Sequence, residues 1–489
     1  MNAKYRYQFY QHIYENIPKI HEEASKFGQE LGLDKVDADL GLYAGSSSRP
    51  GNLPSYVLDE IIKANRSGRT LTLREVEDEV REVVKDVYGD EYDAAVANTC
   101  EAALRICFET LCAPPALRRG DAYRSRFLML YGEDYEWMGG YGRAFPPKYK
   151  NLLVDRTVAA GELGVEGKSL ANLDALYVRF AGAKYQSHGI RFNPTSLLTQ
   201  IDVEKTMENV RKVAARHEHL LSGVACLGYD TPSYGYTQKD DNGAPTLKRL
   251  LGELAKDYDI PFIVDNASCL PIIGLDPRHI GADIMTYSMD KAGRSPTCGL
   301  IIGKDEVINP IRKGMGLGGQ RYGELSSHGK AVFTFSDPGR DTVIGLVAYM
   351  KILRDMPHIV KDPIDKFHEI IVEQFQSLKP SRFREKLIFT KSYHLGGTEL
   401  NYERTWEDDE YGIPIFTLED LYANTNPICS AQVEMGVEPA TIYGGNMFLG
   451  PGLGTLDEEG NLIIDYAVLA AKTLVKAVEI VCKYAGLNE

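Results

Sequence analysis

The sequence changes its hydrophobic period repeatedly, and that alternation constrains the fold more than any single residue. In "TLREVEDEVREVVKDVYGD", Val76, Val80, Val83, Val84 and Val87 recur on one helical face, and Gly89 follows as a natural C-cap. The next stretch, "EYDAAVANTCEAALRICFETL", opens on a short apolar run that suits a strand. It passes Asn98 and Thr99, both candidate N-caps, and resumes the helical period at Leu104, Cys107, Phe108 and Leu111. The alternation returns in "TLKRLLGELAKDYDIPFIVDNAS", where Leu247, Leu250, Leu251 and Leu254 form a helical stripe before an apolar strand at Phe262 to Val264. Helices alternating with short, wholly apolar strands predict an α/β fold with a mostly parallel sheet.

On this reading residues 61–335 form the α/β domain, preceded by an N-terminal segment over 1–60. Residues 120–180, rich in Tyr, Arg and Gly, form an elaboration on it. From 336 the texture shifts: "DPGRDTVIGLVAYMKIL", "DPIDKFHEIIVEQFQSL" and the closing "NLIIDYAVLAAKTLVKAVEIVCKYAG" predict a smaller C-terminal α+β domain over 336–489.

Composition narrows the function. A hydrophobic share of 44% with 25% charged residues is ordinary for a water-soluble globular protein. The net charge of −14 argues against a nucleic acid partner or an anionic membrane surface, both of which need a basic footprint. No apolar run is long enough to span a bilayer, and the opening "MNAKYRYQFYQHIYENIPKIHEEASKFG" lacks the apolar core of a signal peptide, so a cytoplasmic location is expected. The eight cysteines (Cys100, Cys107, Cys112, Cys226, Cys269, Cys298, Cys429 and Cys482) form no CxxC pair and no metal-ligand spacing, which predicts reduced core residues and no metal. A small-molecule substrate is the remaining expectation.

In an open parallel sheet the ligand crevice lies beyond the carboxyl ends of the strands. Three features fall there. Asp265 ends the strand "PFIVD"; Lys291 follows the apolar "DIMTYS", with Ser288 ahead of it and Gly293 and Gly299 behind; and Asn98, Thr99 and Cys100 open a helix directly after a strand. A lysine can form a Schiff base with an aldehyde cofactor, and an aspartate can hold the proton of a pyridinium nitrogen. A helix N-terminus offers N–H donors and partial positive charge to a phosphate, to which Ser288 could add a hydroxyl. Together these are the minimum equipment for pyridoxal 5'-phosphate.

The run "PFIVDNAS", with "YSMDKAGRSPTCGLIIG" placing Lys291 26 residues after Asp265, resembles the fold type I pyridoxal phosphate enzymes, the aspartate aminotransferase superfamily. Asp265, Ser288, Lys291, Gly293 and Gly299 match its motif, and the branch it most resembles joins the class V aminotransferases, cysteine desulfurases and selenocysteine synthase-like proteins. The resemblance implies an aromatic side chain stacked on the cofactor, and His188, 77 residues before Asp265, stands where the desulfurase-like group has its histidine. It also implies a homodimer or higher homo-oligomer with a shared site, for which Arg340 of "DPGRD" is the candidate cross-subunit phosphate contact. Ser268 joins the cofactor set at a position where desulfurases have glutamine, and Asp290 replaces the histidine usual before the lysine.

Many relatives grip a substrate carboxylate with a C-terminal arginine, but no arginine follows Arg404 here. Arg49 of "YAGSSSRPGN" is the substitute candidate for substrate binding. Cys429 occupies the region of a desulfurase's persulfide cysteine, yet "NPICSAQ" lacks the basic flank that would activate a thiol. The resemblance thus implies a lyase or transferase acting on a small amino acid or amine through a Lys291 Schiff base. An aminotransferase on the same scaffold and a catalytically silent binding relative are the alternatives.

Overall fold

The computed structural model describes residues 6–43, 45, 49–68, 71–112, 124, 126–131, 174–179, 184–188, 193–197, 202–228, 238–241, 243–292, 294–316, 333, 336–393, 396–407, 410–416, 420–421 and 424–488. The elaboration expected over 120–180 falls mostly outside them. The chain begins with α1 (Arg6–Glu15), α2 (Ile17–Glu30), β1 (Leu40–Gly41), α3 (Ser55–Arg66) and α4 (Leu73–Tyr88). There follow β2 (Tyr92–Ala97), α5 (Cys100–Leu111), β3 (Arg126–Tyr131), β4 (Asp174–Arg179), β5 (Lys184–His188) and β6 (Asn193–Leu197). Then come α6 (Val203–Arg216), β7 (Leu221–Leu227), α7 (Thr246–Asp257), β8 (Phe262–Asp265), α8 (Pro277–Ile280), β9 (Ile284–Ser288), β10 (Gly299–Lys304) and α9 (Asp305–Gly314). The chain continues with α10 (Arg340–Asp355), α11 (His358–Phe375), β11 (Ile388–Ser392), β12 (Gly397–Asn401) and α12 (Pro427–Glu434). It closes with β13 (Val437–Glu438), β14 (Thr441–Tyr443), β15 (Asn446–Leu449) and α13 (Ile464–Tyr484).

Local signals set the helix ends. Thr72 caps α4 by accepting from the Glu75 N–H at 3.2 Å, while the Glu75 carboxylate accepts from the Thr72 N–H at 2.8 Å. Gly89 stops the helix with φ +104°, a region that disfavours side chains. Val76, Val80, Val83 and Val84 are buried beneath it, as the period of the sequence requires.

Seven strands form the main sheet in the order β2-β10-β9-β8-β7-β3-β4. β2, β7 and β9 are buried along their whole length, which explains their unbroken apolar runs. Neighbours from β9 to β4 run parallel, whereas β10 is antiparallel to both β2 and β9. The mostly parallel α/β sheet expected from the sequence is therefore present. Because β10 reverses between them, β2 and β9 point the same way, so the carboxyl ends of β2, β9, β8 and β7 share one edge. Gly299 pairs with Ala97 on one side and Ser288 on the other, and Asp265 pairs with Thr286 and Leu227.

A second apolar core gathers Phe367, Ile371, Leu400, Ile442, Leu474 and Val478 around the antiparallel sheet β11-β12-β15-β14. The N-terminal segment packs into it through Phe9, Tyr10, Ile20 and Leu40, and β1 pairs parallel with β13. α10 lies in the first core through Val343 and Leu346, and α11 joins the two: Val360 and Ile364 belong to the first, Phe367 and Ile371 to the second. Among the described residues no helix is long and apolar enough to cross a membrane.

One ion pair is buried under the main sheet. Arg312 of α9 donates to Glu77 of α4 at 3.3 Å and to the Ala94 carbonyl of β2 at 3.1 Å. Burial pushes the Glu77 carboxyl up to about 7, against the opposing pull of Arg312. A carboxyl whose folded pKa lies above its unfolded value binds more protons in the native state, so its contribution to stability falls as pH rises from about 4.5 to about 7. Urea denaturation of wild type and Glu77→Gln at pH 4.5 and 7.5 should show the difference moving in favour of the glutamine variant at the higher pH, by on the order of 2 kcal/mol. A difference independent of pH would contradict this account.

Candidate active site

The shared strand edge collects the chemistry. Asp265 is the last residue of β8, and its Oδ1 accepts from the Ala267 N–H at 3.1 Å, a contact that fixes the carboxylate at the start of the following turn. β9 ends at Ser288 and passes directly into a 3-10 turn, Met289–Ala292, that carries Lys291 with its side chain exposed. The Ser288 hydroxyl donates to the buried Asp290 carboxylate at 2.7 Å, and the Ser288 N–H donates to the Ala267 carbonyl at 3.2 Å. The two turns, one after Asp265 and one before Lys291, are thereby tied together.

The N-terminus of α5 lies against the same edge. Thr99 is the N-cap, its hydroxyl accepting from the Ala102 N–H at 3.1 Å. A β-carbon on Gly299 would stand 2.2 Å from the Thr99 carbonyl oxygen and 2.8 Å from the Cys100 nitrogen, so only glycine lets the helix end come this close to β10. Cys100, the first helical residue, senses both charged groups. Burial pushes its thiol pKa well up, Asp265 pushes the same way, and Lys291 and then the Thr286 hydroxyl pull it down, with Asp290 adding a smaller upward push. Asp265 and Lys291 thus act on one buried atom at the mouth of α5.

The other residues marked in the sequence fall in several places. The Asn98 N–H donates to the Ser336 carbonyl at 2.9 Å, so that main-chain donor is taken inside the protein. Ser268 sits half-buried in the turn after β8. The Ser288 hydroxyl proton is directed at Asp290 and not at the strand edge. His188 ends β5, opposite Asn193 of β6, and its side chain lies outside the described residues, as does Gly293. Arg340 begins α10 and donates to Asp341 at 2.9 Å and to Asn65 at 2.7 Å. The Arg49 guanidinium pairs with Glu438 of β13 and, at 2.9 Å, with Asp39, so its fork is occupied where β1 meets β13. Cys429 is buried on α12 with its thiol pushed up to about 12 by burial, in keeping with its unactivated sequence flank.

Three residues at this edge escaped the sequence reading. Lys248 is fully buried on α7 and donates to the Gly228 carbonyl, whose own N–H donates to the Asp265 carbonyl at 2.6 Å. Its place within an amphipathic stripe reads as a solvated face. Thr286, the strand partner of Asp265, is buried beside Cys100, but a threonine inside an apolar strand carries no signal of its own. Arg294 is buried three residues beyond Lys291, and the signal available was a cation held between Gly293 and Pro296.

No protein-family model and no curated protein matches the chain. Solved structures do. An aspartate aminotransferase from Thermus thermophilus superposes with a TM-score of 0.50 at 14% identity, covering 90% of this chain and 99% of that one. The chain has the fold type I architecture. A pyridoxamine-pyruvate aminotransferase from Mesorhizobium loti (TM-score 0.48, 15% identity, 92% of this chain and 94% of that one) and a cysteine desulfurase from Thermococcus onnurineus (0.46, 14%, 90% and 96%) are also similar. At these identities the likeness is one of fold.

In this fold type I chain the approach of α5 to β10 generates a direct test. Gly299→Ala forces the Thr99–Cys100 turn away from β10 and should destabilise the protein by about 1–3 kcal/mol, the usual range for overpacking. Denaturant titration checks it, and wild-type stability would show that the helix end is not held against Gly299.

Proposed function

We propose that this chain is a pyridoxal phosphate-dependent lyase or transferase acting on a small amino acid or amine. The observation that carries the reading is that Asp265 at the end of β8, the turn carrying Lys291 after β9 and the first turn of α5 lie along one edge of the sheet, tied by the Ser288 N–H to the Ala267 carbonyl and by Gly299 against Thr99. A carboxylate, an exposed amine and a helix end with its main-chain donors fit the pyridine nitrogen, the aldehyde and the phosphate of that cofactor in turn. The fold type I architecture supports the same class.

When bound, pyridoxal phosphate supplies an electrophilic carbon and a ring that accepts electrons from the substrate's α-carbon. Lys291 would hold the cofactor covalently and, once displaced by the substrate amine, take the proton from the α-carbon at Nζ. Its position on a 3-10 turn braced by Ser288 and Asp290 keeps that amine near the strand edge while leaving it accessible. Asp265, oriented by the Ala267 N–H, would hold the proton on the ring nitrogen. The first turn of α5 would receive the phosphate, where the helix dipole favours negative charge. Thr99 serves that end by capping it, which keeps the turn rigid.

Asp265→Asn separates holding the cofactor from using it, because a neutral amide cannot keep the ring nitrogen protonated. The variant should retain the bound cofactor's absorbance while exchange of the substrate α-proton with deuterium, followed by NMR, slows at least 100-fold. The substrate for that measurement comes from a panel of amino acids and amines assayed for ammonia, keto acid, carbon dioxide and sulfide. Near-normal exchange in the variant would assign Asp265 to the turn alone.

A further inference from the structure

Arg294 stands apart from every other buried cation described in the chain. Lys248 and Arg312 each bond to the protein around them, and Arg312 has Glu77 as counter-ion. Arg294 is only 3% exposed, yet no carboxylate among the described residues pairs with it. Its Nη1 donates to the Ile359 carbonyl at 2.9 Å, and its Nη2 is buried without any partner. Burying a guanidinium unpaired costs several kcal/mol, on the order of the stability of a whole domain. Such a group persists in a fold where something else supplies the missing charge.

The surroundings describe what that is. Two phenols, Tyr56 of α3 and Tyr349 of α10, lie close enough for Arg294 to pull down pKa values that burial has raised, and both hydroxyls are buried without hydrogen-bond partners. Both phenols therefore lie near the guanidinium. Arg294 also lines a cavity of about 260 Å³ bounded by Asn52 and Leu53 on one side and Gly452, Gly454 and Gly460 on the other. A cavity of about 150 Å³ is known to admit benzene, so this one accepts a group of a few carbon atoms. Its walls are held together by the Ser55 N–H and hydroxyl, both donating to the Glu458 carbonyl at 2.7 Å. Two acidic residues, Asp457 and Glu458, also line the cavity, and Asp457 is engaged with its own loop, accepting from the N–H groups of Glu459 and Asn461. The arginine loop itself is fixed, because Pro296 packs into the space left by Gly345 of α10.

We propose that Arg294, backed by Tyr56 and Tyr349, binds the anionic group of the substrate, a carboxylate or a phosphate ester, in this cavity. A planar guanidinium with a free Nη2 matches the acceptor oxygens of either group, and the two phenols stand beside it. The assignment of that anion to a substrate rests on the reading of Lys291 above, since Arg294 follows it by three residues. The anion site itself does not depend on that reading. It supplies the substrate contact that the absence of arginine beyond Arg404 leaves to be found, and which Arg49, paired with Asp39 and Glu438, is not positioned to give.

The test is ligand-dependent thermal stability, read on wild type, Arg294→Gln and Tyr56→Phe, with and without saturating pyridoxal phosphate. The probes are inorganic phosphate and succinate, with chloride at equal ionic strength as control. Wild type should melt at higher temperature with one of the two probes, and which one responds identifies the anion as phosphate or carboxylate. Arg294→Gln should lose the response while melting, without ligand, no lower than wild type, because it removes an unpaired buried charge. Tyr56→Phe should weaken the response several-fold and guards against misreading a global effect of the arginine change. With an amino acid substrate, Arg294→Gln should raise KM at least 10-fold. An Arg294→Gln protein that keeps the full response, or a wild type that responds to neither probe, would overturn the proposal. A response lost in Arg294→Gln in a protein that takes up no pyridoxal phosphate would sustain the anion site and sink the cofactor reading alone.

Discussion

The site depends on how closely the first turn of α5 approaches the start of β10. Without a side chain at Gly299, the Thr99 carbonyl and the Cys100 amide come nearer to β10 than any β-carbon would permit. Since Gly299 pairs with both Ala97 and Ser288, that contact also fixes where α5 begins relative to the end of β9. A strand rises about 3.4 Å per residue, so an error of one residue in this register would carry Ser288, and the turn bearing Lys291, away from the helix end. The reversal of β10 is what brings the carboxyl ends of β2 and β9 to one edge, and the parallel run from β9 to β8 then adds Asp265.

The second core supplies the other wall. Its N-terminal helices and its C-terminal sheet belong to one apolar unit, joined by the pairing of β1 with β13. Gly45 lies against the 3-10 turn, where a β-carbon on it would meet the Asp290 carbonyl at 3.2 Å, and Gly51 to Pro54 line the Arg294 cavity. Chain from both ends of the sequence therefore surrounds the loop that carries Lys291 and Arg294. α11, with a foot in each core, couples the two units and offers the Ile359 carbonyl to Arg294.

Much of the fold was legible because its signals are local. The stop at Gly89, the valine stripe before it and the cap at Thr99 all act within one or two helical turns. The strand ends at Asp265 and Ser288 could be read because the apolar runs before them are buried and stop where polar residues begin. What escaped depends on contacts between distant parts of the chain. One of the two carboxylates that hold Arg49 is Glu438, 389 residues away, and nothing near Arg49 announces it. Lys248 and Arg294 escaped notice because sequence alone does not reveal that other segments bury them. The Ser288 hydroxyl was within reach of a local reading, but its neighbour Asp290 competes for it more closely than any ligand would. Charged residues were the hardest to place, because their burial is decided by tertiary structure while their type argues for the surface.

The most direct measurement is the site of covalent attachment. The protein is incubated with pyridoxal phosphate, reduced with borohydride, digested and mapped by mass spectrometry. The account predicts one modified tryptic peptide, spanning residues 279–294 and uncleaved after Lys291, with the pyridoxyl group on Lys291, and no such label in Lys291→Ala. Stoichiometric labelling of another lysine, or equal labelling of the Lys291→Ala protein, would contradict it.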